Sequence, residues 1–235
     1  MKCYCYETDS AFIFCVEDVE NTQLEDVIQH MAWKKTNGKF LVSYTHNAFS
    51  NQREKELISN NFSRLGQTMF ESPLLGFDWK KPLEILAQKF NENGIEWYIV
   101  GSIGDALRGV NVKPGDIDIV VRTTDYYKVK DICYFNFPDS IIMPFAENEN
   151  INPLKYFGRL FLAGAMIEVA ADETWNLESR QQGFWGFSNL ISKYEKVTWN
   201  GYDLYLESLQ LRHKIEIARN REDRIKAFNE YMTRP

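Results

Sequence analysis

One stretch constrains this chain more than any other. A short apolar run, Ile95–Val100, meets Gly101-Ser102, and a helical pattern follows over Ile103–Gly109. After a turn at Lys113-Pro114-Gly115, a second apolar run carries Asp116-Ile117-Asp118-Ile119. The pattern predicts strand, tight turn, short helix, strand. Glycine lets a backbone come close to a ligand. Free N–H groups at a helix start suit phosphate, and the Ser102 hydroxyl adds a donor there.

On a strand, side chains alternate between faces. Asp116 and Asp118 therefore share one face, with Cα atoms ~6.5 Å apart, while Ile117 and Ile119 take the other. Two carboxylates side by side in apolar surroundings repel, and burial penalises their charge. A divalent cation relieves both costs. Magnesium takes one or two carboxylates together with substrate phosphate oxygens. Two ions about 3.5–4 Å apart clamp the attacking and leaving oxygens of a phosphoryl displacement. A third carboxylate is then wanted on a neighbouring strand. Glu168 stands alone in the apolar run Met166–Ala171, where a lone charge needs a reason. Asp172 is its rival, and a salt bridge is the other use for Glu168.

These residues resemble the signature of the polymerase-β-type nucleotidyltransferase superfamily. That signature is an apolar residue, Gly, Gly or Ser, a spacer, then Asp, apolar, Asp or Glu, apolar. Here it reads Val100-Gly101-Ser102, thirteen residues, then Asp116-Ile117-Asp118-Ile119. The resemblance covers about Pro82 to Met232. The chain's end is similar to small antibiotic-modifying or toxin-type members, whose helix carries Lys and then Arg and Asp. Lys214 and Arg219 match, with Asp223 about one residue out of place.

The resemblance implies a catalytic and metal-binding set of Asp116, Asp118 and Glu168, with Glu168 as base. It implies nucleotide contacts from Gly101, Ser102, Lys214 and Arg219, and a cofactor set of two Mg2+ and an NTP, ATP first. The implied reaction moves an NMP to a hydroxyl and releases pyrophosphate. A small-molecule acceptor comes first, because a net charge of −6 argues against a large nucleic-acid partner. A toxin-type activity on tRNA or protein is the alternative enzyme. A non-catalytic nucleotide-binding pseudoenzyme is the alternative of another class.

The expected fold is α/β (α+β): a small mixed nucleotidyltransferase sheet with flanking helices, plus an N-terminal α/β module. Two strands over residues 1–17, a helix over Asn21–Met31, a strand Lys39–Tyr44 and a helix Gln52–Phe70 form the module, residues 1–75, whose role the sequence leaves open. Pro73, Gly76 and Pro82 mark a linker. Residues 82–235 form the nucleotidyltransferase domain, with hairpins near Gly164 and Asn200-Gly201 and two closing amphipathic helices. Arg108 and Lys113 read as solvated charges and His213 as an ordinary helix residue. Trp175, Phe184, Trp185, Phe187 and Trp199 read as core rather than base-stacking rings. The four cysteines read as free thiols. The run Ala11–Val16 is too short for a signal or membrane segment, so the expected location is cytoplasmic.

Overall fold

A computed structural model describes residues 1–31, 33–147, 156–171 and 194–233. Asp172, Trp175, Phe184, Trp185 and Phe187 lie outside the described residues. The described fold is mixed α+β, two sheets flanked by helices.

The first sheet is antiparallel, with strands β1 (Lys2–Glu7), β2 (Phe12–Glu17), β3 (Lys34–Thr36) and β4 (Lys39–Tyr44) in the order β1-β2-β4-β3. Helix α1 (Thr22–His30) starts where the Asn21 side chain accepts from the Gln23 N–H at 2.9 Å, the usual job of an N-cap asparagine. Helix α2 spans Gln52–Leu75 and starts in the same way at Asn51. It lies close on β1. A Cβ on Gly66 would stand 2.8 Å from Cys3 Cβ, so only glycine lets the two backbones approach this far.

The sequence ended that helix at Phe70. The structure carries it on to Leu75, with Pro73 inside its last turn. Proline brings no N–H for the carbonyl four residues back, which is Met69. The Ser72 hydroxyl donates to that Met69 oxygen at 2.9 Å instead.

The second sheet has seven strands. They are β5 (Trp97–Val100), β6 (Ile117–Val121), β7 (Ile141–Glu147), β8 (Tyr156–Leu162), β9 (Ala165–Ala171), β10 (Tyr194–Trp199) and β11 (Tyr202–Glu207). Their order is β10-β11-β5-β6-β9-β8-β7. The sheet is mixed: β11 runs parallel to β5, β6 runs parallel to β9, and the other pairs are antiparallel. Helices α3 (Lys80–Glu92), α4 (Ser102–Leu107), α5 (Tyr126–Asn136), α6 (Leu209–Ala218) and α7 (Glu222–Met232) flank it. Both expected hairpins form, at Gly164 and at Asn200-Gly201.

Strand β7 was not read from the sequence. Pro144 lies within it, and proline suits only an edge strand or a bulge. β7 is an edge strand, and its register shifts between Met143 and Ala146.

One contiguous apolar core runs through both sheets, from Phe14 and Phe40 to Ile117, Ile167 and Leu206. Helix α2 joins them by polar contacts as well. Asn61 Nδ2 donates to the carbonyls of Pro138 and Ile141 at 2.8 and 2.9 Å, and Lys130 lies 3.4 Å from the buried Glu54. On the other face of the second sheet, Leu211 and Ile215 of α6 pack on Tyr98, Val100 and Val120. Asp118 shares the Val120 side of β6 by alternation. The cysteines are free, with Cys3, Cys15 and Cys133 buried. Among the described residues no helix is long and apolar enough to cross a membrane.

Candidate active site

Strand register assembles the site. Val100 lies opposite Asp118, Asp118 beside Glu168, and Glu168 opposite Arg159. Glu207 is one step beyond Leu206, which lies beside Ile99. Five neighbouring strands thus lay Glu207, the Val100-Gly101 end, Asp118, Glu168 and Arg159 in one row. Asp116 is not on the strand. It sits in the bend just before Ile117, so sequence alternation does not set its direction.

Two carboxylates of the row have cations. Arg159, 2% exposed on β8, donates through Nε to Glu168 Oε1 at 2.9 Å and through Nη2 to the same oxygen. Glu207 accepts the Gly101 N–H at 3.1 Å and lies 3.6 Å from Arg212 Nε. Asp116 and Asp118 have no ion pair or side-chain hydrogen bond among the described residues. Both are half-buried. Burial, opposed mainly by Arg159 after Glu168 has added to it, pushes the Asp116 carboxyl up to about 7. Burial, then Asp116 and Glu168, hold Asp118 well above the usual carboxylate range, with Arg219 and Arg212 pulling the other way.

Gly101 has φ +73°, the left-handed side that favours glycine. A Cβ there would stand 2.7 Å from Asp118 Oδ2. The glycine is therefore the back wall of Asp118. Gly101→Ala is expected to cost about 1–2 kcal/mol in backbone strain. By moving the carboxylate it should also weaken divalent-ion binding tenfold or more. Thermal melts beside a divalent-ion titration separate the two effects.

Beneath the turn lies a buried charge network. Arg212 forks onto Asp105 at 2.9–3.3 Å and reaches Glu216 as well as Glu207. Its three acidic partners and Arg212 itself are each under 5% exposed. Arg108, read from sequence as solvated, instead bonds Glu195, the Gly104 carbonyl and the Glu207 carbonyl. It ties α4 to the ends of β10 and β11. Lys113 is exposed and donates to the Leu74 carbonyl.

Of the residues read from sequence, Gly101, Ser102, Asp116, Asp118 and Glu168 come together, and Arg219 acts electrostatically on Asp118. Lys214 stands exposed on α6. His213 stacks on Phe228, and Trp199 lies beside Trp79. Sequence reasoning missed Arg159, Arg212, Arg221 and Arg224, whose charges reach the two aspartates, and Glu207, which pairs with Arg212. Arg159 had one signal, a charge amid apolar neighbours in Phe157-Gly158-Arg159-Leu160-Phe161; Arg212, Arg221 and Arg224 stand among other charged residues and had none. The N-terminal module also reaches this place. Burial and then Arg221 and Arg219 lower the His30 imidazole, opposed by Glu168. The buried Tyr44 hydroxyl, which feels Arg159 and Glu168, has no hydrogen-bond partner among the described residues.

The donor set suits a hard divalent cation: oxygen ligands, two of them unneutralised, beside a glycine that leaves room. Yet among the described residues no three His, Cys, Asp or Glu side chains converge as a metal-holding group. Glu168, expected as the third ligand, is held by Arg159.

No protein-family model matches the chain, and no curated protein matches it. Three solved structures similar to it are described as nucleotidyltransferases or as like them. One, described as a nucleotidyltransferase from Thermotoga maritima, is 21% identical over 65% of this chain and 91% of that one, with a TM-score of 0.45. The lincosamide antibiotic adenylyltransferase LnuA, with lincomycin bound, is 14% identical over 66% and 98%, with a TM-score of 0.46. An antigenic nucleotidyltransferase-like protein from Paracoccidioides brasiliensis is 17% identical over 63% and 72%, at 0.41. Likeness at this level carries no residue's role over to this chain.

Proposed function

We propose that this chain is a magnesium-dependent nucleotidyltransferase that moves an NMP from an NTP, ATP first, to a hydroxyl of a small molecule. The observation that carries the reading is the contrast within one row of charges. Glu207 and Glu168 have arginines in contact; Asp118, between them, and Asp116, in the bend just before its strand, have no contact ion pair among the described residues. Two half-buried like charges with no ion pair in contact favour a divalent ion.

Asp116 and Asp118 would hold that ion. When bound, it neutralises charge on the phosphates and on the leaving pyrophosphate. The chain's own residues do the rest. The Gly101-Ser102 turn fixes Asp118 from behind and receives phosphate oxygens, chiefly at Ser102, because the Gly101 N–H already serves Glu207. Arg219 adds positive charge on the α6 side. Both Arg159 bonds go to Glu168 Oε1, so Oε2 is the oxygen that accepts the acceptor hydroxyl's proton. The hydroxyl oxygen bonds to the α-phosphorus. The bond to the bridging oxygen breaks, and its electron pair leaves with pyrophosphate. Residues 1–75 would cap the acceptor side, where His30 and Tyr44 approach Glu168. The cytoplasm is the location this reading expects.

Incubation with α-labelled NTPs, magnesium and a panel of hydroxylated small molecules tests it. Labelled product with matching pyrophosphate is the expected result. Absence of any magnesium-dependent NTP binding would sink the reading. One observation favours a second reading, a nucleotide-binding pseudoenzyme: Glu168 is held by Arg159 and the Gly101 N–H by Glu207. Its mark would be NTP retention without pyrophosphate release on any acceptor, tRNA and protein included.

A further inference from the structure

The third carboxylate is already neutralised from within the chain. Arg159 is fixed on several sides. Two of its nitrogens donate to Glu168 Oε1, Nη1 lies 3.0 Å from Met143 Sδ, and the guanidinium carbon lies 5.2 Å from the Phe157 ring centre. The side chain is 3% exposed. Such a group is neither hydrated nor exchangeable, and its planar fork is made for carboxylate. An arginine–glutamate pair is neutral as a unit and offers little attraction to a second dication. The neighbouring pair offers much more, because Asp116 and Asp118 repel with no counter-charge in contact.

We propose that Arg159 stands in for a second metal ion: the site takes one divalent cation, on Asp116 and Asp118, and Glu168 stays outside its coordination shell. The inference rests on the nucleotidyl-transfer reading and sharpens it. A fixed guanidinium supplies positive charge on the acceptor side of the row, where an exchangeable ion would otherwise sit. Glu168 is then oriented by an arginine and faces the acceptor through Oε2. Rate against magnesium concentration is expected to follow a single-site curve once the NTP is saturated with metal.

The test counts ions. Mn2+ is titrated into the chain mixed with one equivalent of α,β-methylene-ATP, and free Mn2+ is followed by its paramagnetic resonance signal. Retention of the analogue by the chain is measured in parallel by dialysis. One Mn2+ per chain–analogue complex is expected for the natural protein, and two for Arg159→Met, which frees Glu168. Glu168→Gln should keep one ion with nearly unchanged affinity; a true ligand's loss would weaken binding by tenfold or more. Two ions in the natural protein, or a tenfold loss in Glu168→Gln, overturn the inference and leave nucleotidyl transfer standing. One ion in a folded Arg159→Met overturns the part given to Arg159. If that variant does not fold, the natural stoichiometry and Glu168→Gln decide. An analogue never retained, with or without Mn2+, overturns the underlying reading instead.

Discussion

Asp118→Asn is expected to lower nucleotidyl transfer about a thousandfold or more while raising the melting temperature of the metal-free protein. The two effects share one cause. Asp118 sits where burial, Asp116 and Glu168 all disfavour its charge. The amide keeps the shape and removes the charge. Activity falls because a ligand is lost; stability rises because a repulsion is lost. Linkage gives the sign. In the fold, Asp116 holds its proton up to about 7 and Asp118 is raised as well, whereas in the unfolded chain both release it near 4. The folded state therefore binds more protons across that window, and stability declines as pH climbs from about 4 to about 7. Melts of the natural protein should show that decline without magnesium and a much smaller one with it. Asp118→Asn should remove the share of the decline that Asp118 contributes and leave the share that burial of Asp116 causes. An unchanged turnover rate in this variant would remove the metal hypothesis, and a pH-independent melt would remove the repulsion.

Arg212→Met should be the most damaging single change to the fold. It leaves Asp105, Glu207 and Glu216 buried with their shared cation gone. Removing one partner of a buried ion pair costs about 3–5 kcal/mol. For a chain of this size that is a drop of roughly 10 °C or more, at about 2–4 °C per kcal/mol. The loss should be smaller at pH 5 than at pH 8, because orphaned carboxylates relieve themselves by taking protons. Arg212→Lys should recover only part of it, since an ammonium lacks the fork that spans Asp105 and Glu216. A full recovery by lysine, or a melt insensitive to pH, would show that packing rather than charge is what Arg212 provides.

Local chemistry was readable in the sequence, and long-range pairing was not. The Gly101-Ser102 turn, the Asp116 and Asp118 pair and the Glu168 strand all announce themselves through residues a few positions apart. Arg159 and Glu168 lie nine residues apart, yet their bond depends on the register of a hairpin. Arg212 and Asp105 are 107 residues apart, so no local pattern links them. Arg159, Glu168 and Asp105 appeared only as charges in an apolar setting, which signals a partner without naming it, and Arg212 gave no such sign beside His213 and Lys214. Strand β7 drew no reading from the sequence, and the end of α2 was hidden by Pro73, which was taken as a linker marker. Pro144 fits the first because its strand is an edge strand with a shifted register. The Ser72 hydroxyl excuses the second.

Helix α2 serves two masters. Its Ile58, Phe62, Met69 and Phe70 are wholly enclosed by a core that belongs to both sheets at once. A chain trimmed to start at Lys80 would lay bare the floor on which that helix rests. The opening third therefore shares its interior with the rest of the chain, and removing it is expected to expose apolar surface of the second sheet.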